Sequence, residues 1–286
     1  MKITVFTPTY NRAYLLPRLY ESLKKQTFND FEWLIVDDGS TDDTHDLVDG
    51  WMKEGHLNIR YYYQENGGKH RAINKGVPLA KGEWFFIVDS DDSLPDNSLE
   101  IANKWMKSVE NDDSFAGVCG MRCINGQDPV VYFDVLDSSS LRSNDVFRGD
   151  KAEIIKTQVL KKYPFPDIPN EKFCAESLIW SRIGLRYEFR YFNEVIYYCD
   201  YLDDGLTKNS IRNRRKNPQY ASIIYREQME YMPSLINKIR AAINYWRFVW
   251  FTKNCPKFLS VPVYAYFFLP VGILFCLKDY FVLKRF

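Results

Sequence analysis

Four short polar clusters in the first hundred residues carry side chains that could do chemistry: Thr7-Pro8-Thr9-Tyr10-Asn11, Asp37-Asp38-Gly39-Ser40, Glu65-Asn66-Gly67-Gly68-Lys69 and Asp89-Ser90-Asp91-Asp92. A tyrosine such as Tyr10 can lie against a nucleobase, and a carboxylate such as Asp38 can accept a hydrogen bond from a base N–H. Gly67 and Gly68 permit close backbone approach, and Lys69 adds a positive charge for phosphate. Asp89, Asp91 and Asp92 are hard oxygen ligands. They suit Mg²⁺ or Mn²⁺, which takes one or two carboxylates and completes its shell with phosphate oxygens and water. When a sugar leaves a nucleoside diphosphate, negative charge builds on the departing phosphate, and a divalent ion at Asp91 would neutralise it there.

Each cluster follows a run of β-branched or aromatic residues: Ile3 to Phe6, Trp33 to Val36, Ile59 to Tyr63 and Trp84 to Val88. Helical stripes lie between them. Leu15, Leu16, Leu19 and Leu23 form the first, with Asn11 as expected N-cap; Leu47, Val48, Trp51 and Met52 form the second, opened by Ser40. A third is expected over residues 69–79, and Leu99, Ala102, Trp105, Met106 and Val109 mark a fourth. This alternation predicts an α/β, Rossmann-like domain with a mainly parallel sheet. All four clusters then fall at the carboxyl ends of parallel strands, the edge where open α/β sheets bind ligands. Farther on, residues 115–123, 130–135 and 191–198 read as strands, and 151–162 and 176–183 as helices.

The run Thr7-Pro8-Thr9-Tyr10-Asn11-Arg12, the segment Val36-Asp37-Asp38-Gly39-Ser40-Thr41-Asp42, the stretch Asn66 to Gly76 and the motif Asp89-Ser90-Asp91-Asp92 together resemble glycosyltransferase family 2. The resemblance implies a GT-A fold and a nucleotide-sugar donor, expected to carry UDP. It also implies a divalent metal and inversion at the anomeric centre. By the same resemblance Pro8, Tyr10 and Asp38 contact the nucleoside, and Asn66 and Lys69 belong to the donor-binding loop. Asp89 and Asp91 face ribose, diphosphate and metal, with either Asp91 or Asp92 as principal ligand. The family's catalytic base lies in a later acidic motif opening a helix, followed by Trp and Arg. Ala175-Glu176-Ser177-Leu178-Ile179-Trp180-Ser181-Arg182 fits that pattern, with Glu176 where the family generally has Asp. A carboxylate placed to take the acceptor's proton contributes about 10²–10⁴-fold. Glu171 is the nearest substitute.

Blander readings stand beside these. Asp37 and Asp38 also suit a turn and helix cap, and Lys69, His70 and Arg71 an exposed helix start. A nucleotidyltransferase would share a carboxylate-bound metal on an α/β sheet, although no Gly-rich triphosphate loop opens this chain. A non-catalytic nucleotide-sugar-binding membrane scaffold is the third reading.

The formal net charge of +1 on 286 residues argues against nucleic acid as a partner. Six scattered cysteines form no C-x-x-C pair and read as free thiols of a reducing compartment. Met1 leads at once into a strand-like run, so no cleaved secretory signal is expected. Composition shifts near residue 210, where Arg212, Arg214, Arg215 and Lys216 crowd together. The expected organisation is a GT-A domain over 1–210 and a helical, aromatic and basic tail over 211–286. Phe258 to Leu277 holds no charge; as a helix it would span ~30 Å, a bilayer core. Lysines flank it on both sides, leaving open whether it crosses the membrane or lies in it; the blander reading is a buried soluble helix pair or a dimer interface. The tail is expected to hold the chain at the cytoplasmic face of a membrane, and the family resemblance implies a glycan or lipid-linked acceptor.

Overall fold

The computed structural model describes residues 1–141, 151–200, 209–251 and 260–283. Part of the expected polar loop at 137–145, Phe258 and Leu259 of the apolar run, and the flanking Lys253, Lys257, Lys284 and Arg285 lie outside the described residues.

Four strands, β1 (Ile3–Thr9), β2 (Phe31–Asp37), β3 (Ile59–Tyr63) and β4 (Trp84–Ile87), lie in spatial order β3-β2-β1-β4, all parallel. β1 and β2 are buried along their whole length, which explains their unbroken apolar runs. The helices α1 (Leu16–Lys24), α2 (Thr44–Glu54), α3 (Lys69–Leu79) and α4 (Ser98–Lys107) connect or follow them. Leu16, Leu19 and Leu23 of α1, Val48 and Trp51 of α2, and Leu99, Ala102 and Met106 of α4 are buried, as the stripes require.

The sheet continues through β7 (Lys151–Lys156), β5 (Phe115–Ile124), β8 (Glu188–Cys199) and β6 (Val135–Ser138). β7 runs antiparallel to both β4 and β5, while β5 and β8 are parallel, so the eight-stranded sheet is mainly parallel as expected.

Four local expectations are corrected. Residues 151–156 form β7 rather than a helix, because Ala152, Ile154 and Ile155 are buried with neighbouring strands on both sides; only Thr157–Leu160 turn helical, as α5. The strand expected over 130–135 begins at Val135, where pairing with Phe192 starts. α2 begins at Thr44, and Ser40 instead accepts a bond from the Asn11 backbone N–H at 2.8 Å. Asn11 caps no helix: it takes a left-handed φ of 52°, and α1 starts at Leu16.

The chain folds as two compact units: residues 1–165 with 182–202, and 166–181 with 203–286. The second unit contains the first turns of α6 (Ser177–Gly184), then α7 (Ser210–Lys216), α8 (Pro218–Tyr231), α9 (Leu235–Phe248), a 3₁₀ segment Val263–Phe268 and α10 (Leu269–Leu283). Its core includes Tyr225, Met229, Tyr245, Trp246 and Phe248. Cys119, Cys123, Cys174, Cys199 and Cys276 are free thiols.

Candidate functional site

Parallel pairing of β1 with β2 and β4, and of β2 with β3, brings the four polar clusters to one edge of the first unit. The β1 and β2 loops are laced together. The Thr41 N–H donates to Asn11 Oδ1 at 2.8 Å, and the Ala13 N–H to Asp42 Oδ2 at 3.0 Å. Pro8 is buried in β1, whereas Tyr10 is 49% exposed beside this lacing. Asp37 turns inward: Oδ1 accepts the Ser40 N–H at 2.7 Å and Oδ2 the Tyr61 hydroxyl at 2.5 Å. That is the turn role considered for Asp37.

Asp38 shapes the β3–α3 loop. Its Oδ1 accepts the Gln64 side-chain amide at 2.7 Å and the Gly67 N–H at 2.9 Å. Its Oδ2 accepts the Gly68 N–H at 2.7 Å and the Asn66 amide at 3.2 Å. Four donors fill the roughly four acceptor positions of a carboxylate, and the residue is only 4% exposed. The two glycine N–H groups are thereby turned toward Asp38. Gly39 permits the close approach: its φ is +89°, and a Cβ there would lie 2.7 Å from the Asn66 nitrogen. Gly68, at φ +97°, opens α3 and sets Lys69 at its first turn.

Lys69 Nζ lies 2.6 and 2.8 Å from the two carboxylate oxygens of Asp89. A cation at a helix N-terminus opposes the macrodipole, and Asp89 relieves it. Burial alone would raise the Asp89 pKa, but Lys69, with Arg122 farther off, holds it below the usual carboxylate range. Burial and the Asp89 charge raise Asp91, against the opposing pull of Lys69 and Arg12. Asp92 is pushed up to about 7 by burial and by Asp89, although the Tyr197 hydroxyl donates to its Oδ2 at 2.6 Å. Beside Asp89, Asp91 and Asp92 thus resist ionisation, and an added cation would favour their charged forms.

Among the described residues, no three acidic, histidine or cysteine side chains converge into a metal cage. The carboxylates that could contact a divalent cation at this edge are those of Asp89, Asp91 and Asp92. Asp89 is held by Lys69 and Asp92 by Tyr197, while Asp91 is half-buried.

Two residues in this region were not singled out from sequence. Tyr197, on β8, is fully buried; its hydroxyl accepts the Asp89 N–H at 3.0 Å while donating to Asp92. Arg122, on β5, stacks its guanidinium 4.1 Å from the centre of the Tyr197 ring and donates from Nε to the Lys151 carbonyl at 2.6 Å. Tyr197 lies more than a hundred residues from the aspartates it touches, so no local pattern could have flagged it. The one available signal was an arginine within the apolar β5 run.

Glu176 belongs to the second unit, immediately before α6; its carbonyl accepts the N–H groups of Ile179 and Trp180, and its side chain is half-buried. Glu171 has a different job. Its carboxylate accepts the N–H groups of Gln219 at 2.8 Å and Tyr220 at 3.0 Å, capping the first turn of α8.

A mainly parallel α/β sheet with these loops along one edge is an architecture that binds nucleotides. Residues 4–152 match the profile of glycosyl transferase family 2, and the chain belongs to that family. It is 38% identical over 111 residues to the glycosyltransferase GlyG of Streptococcus pneumoniae, covering 38% of this chain and 36% of that protein. It is 24% identical over 251 residues to the GalNAc(5)-diNAcBac-PP-undecaprenol beta-1,3-glucosyltransferase of Campylobacter jejuni, covering 84% of this chain and 75% of that protein. Among solved structures, S. aureus TarS 1-349 in complex with UDP-GlcNAc aligns with a TM-score of 0.65 at 18% identity, covering 98% of this chain and 89% of that one. The fold is therefore GT-A-like. The chain spans little more than a third of the length of GlyG.

Proposed function

We propose that the chain transfers a sugar from a nucleoside-diphosphate donor, a UDP-sugar, to a hydroxyl of a glycan or lipid-linked acceptor at a membrane. The observation that carries this reading is the loop edge of the first unit. An exposed aromatic at Tyr10, the loop braced by Asp38 and ending in Lys69, and the charge-frustrated Asp89-Asp91-Asp92 cluster lie there together. The family supports it, as do a fold neighbour crystallised with UDP-GlcNAc and a relative whose acceptor is undecaprenol-linked.

In this reading Pro8 and Tyr10 bind the nucleoside. Asp38 and Asn66 hold the loop that presents Lys69, and Asp89 faces the donor. Asp91, with Asp89 and Asp92 beside it, would hold Mg²⁺ or Mn²⁺, whose chemistry is to neutralise charge on the leaving diphosphate. A fold neighbour, the mannosyltransferase PcManGT, was solved with GDP-Man and Mn²⁺. The acceptor oxygen attacks the anomeric carbon, the bond from that carbon to the diphosphate oxygen breaks, and the electron pair leaves with UDP. Glu176 takes the acceptor proton, so a single displacement inverts the centre. The engagement of the Glu171 carboxylate in capping α8 supports Glu176 over it for that role.

The test is UDP release from a panel of UDP-sugars with Mn²⁺ or Mg²⁺, in the wild type and in Glu176→Gln. Turnover should fall by at least ~10²-fold in the variant, the range of a lost general base, with UDP affinity unchanged. Wild-type turnover in Glu176→Gln removes that residue as base. An absence of UDP release from every donor removes the reaction.

A further inference from the structure

The 3₁₀ segment Val263–Phe268 and α10 form an apolar stretch long enough, over Val263–Phe281, to cross a bilayer. One side of it is committed to the second unit. Asp279 is 6% exposed and makes a bidentate pair with Arg247 of α9, at 2.6 and 2.7 Å, while Arg215 of α7 donates to the Asp279 carbonyl at 2.8 Å. The Trp246 indole N–H donates to the Ala265 carbonyl at 2.7 Å. Gly272 lets the helix sit directly on α9, since a Cβ there would fall 2.3 Å from Trp246 Cβ. Ala265, Gly272 and Asp279 therefore mark the inner face, at helical spacing.

The opposite face is left uncovered by the described residues of the unit. Val263 and Phe267 are each 80% exposed, and Leu274 and Phe281 each 65%; Phe267, Leu274 and Phe281 recur at seven-residue intervals, about two helical turns, along one side. Charge divides the same way. Of the two charged residues between 260 and 283, the anion Asp279 is drawn inward and the cation Lys278 faces out. An outer face that is apolar along its described length, with Lys278 as its one charge, complements an anionic lipid surface.

We infer that this stretch lies in the plane of the membrane, within one leaflet, and does not cross it. The inference rests on the membrane-associated reading above. Crossing would draw the helix off α9 and carry either the Arg247–Asp279 pair, or its broken halves, toward hydrocarbon, a placement that membranes penalise heavily. Lying flat keeps the pair and the Trp246–Ala265 bond intact, buries Val263, Phe267, Leu274 and Phe281 together, and leaves Lys278 at the headgroups.

The experiment uses the full chain with environment-sensitive labels at single Phe267→Cys, Leu274→Cys and Phe281→Cys sites, in a Cys255→Ser, Cys276→Ser background. It is bound to phosphatidylcholine vesicles with or without phosphatidylglycerol. Quenchers fixed at different lipid depths should place all three labels at one shallow depth, ~5–10 Å into the headgroup–acyl boundary. Phe267→Glu with Leu274→Glu should lower vesicle binding at least tenfold while leaving the circular dichroism spectrum unchanged, because both side chains are exposed. Lys278→Glu should remove the preference for phosphatidylglycerol. Depths that step from one label to the next through the bilayer midplane overturn the inference. So do labels that no lipid quencher reaches while light scattering reports a dimer, which would make a second copy the occupant. UDP-sugar hydrolysis measured without vesicles reports on the transferase reading separately.

Discussion

The most exacting test of the site concerns Asp38→Asn. In the structure each carboxylate oxygen accepts two N–H donors, from Gln64 and Gly67 on one side and from Asn66 and Gly68 on the other. An asparagine keeps one oxygen and replaces the other with an NH₂ group. Whichever way it turns, two donors then face a donor, and the remaining pair loses its charge assistance. Hydrogen bonds to a charged group contribute ~1.5–3 kcal/mol each, so losing two costs about 3–6 kcal/mol. Water can reach this half-exposed loop and offsets part of that, leaving ~2–4 kcal/mol. For a unit of this size each kcal/mol corresponds to ~2–4 °C in Tm, so the first unit's transition should drop by on the order of 10 °C. The sharper readout is amide hydrogen exchange of the peptide covering residues 64–70. Gly67 and Gly68 should lose protection before the rest of α3, and UDP affinity should fall because the loop no longer presents Lys69. Unchanged protection of those two amides, with Tm within a degree or two of wild type, would refute the role assigned to Asp38.

Other perturbations follow from the same edge of the sheet. Gly76→Ala would place a methyl 2.1 Å from Cε2 of Phe6, whose ring stacks on Phe85 at 4.9 Å. Overpacking costs ~1–3 kcal/mol and the better helix former returns up to ~1 kcal/mol. Thermal unfolding should therefore show a net loss and nucleotide titration a weaker affinity, since α3 carries Lys69; a higher Tm would contradict this. Asp42 is held below the ordinary carboxylate range: burial opposes that, but the Thr44 hydroxyl and the backbone N–H groups of Ala13 and Thr44 outweigh it. A depressed acid stabilises the fold above its unfolded pKa and loses that contribution as pH falls through its folded value. The Tm gap between wild type and Asp42→Asn should accordingly be full at pH 6–7 and close as the pH drops below about 4. A gap that stays constant over that range would show that the carboxylate's charge is not what ties the two loops.

Periodicity alone was enough to locate the first four strands and the helices between them. α3 spans Lys69–Leu79, and β3 spans Ile59–Tyr63, as their patterns require. Those segments are legible because the burial that holds them repeats along the chain at the period of the element itself. With the strands parallel, the four polar clusters had to meet at one edge, so their convergence followed from sequence as well. The identity of each side chain's partner did not. Local residues at 151–156 suit helix or strand, and pairing with β4 and β5 decides for strand. Asp38 reads from its neighbours as a ligand for a base. Its four donors come from the next βα loop, and only the folded sheet brings them within reach. Tyr197 and Arg122 enter the acidic cluster from β8 and β5, across strand pairings that carry no local signature. Hydrophobic patterning specifies which face of an element is buried. Which polar groups share that burial depends on long-range register, and only the assembled structure sets it.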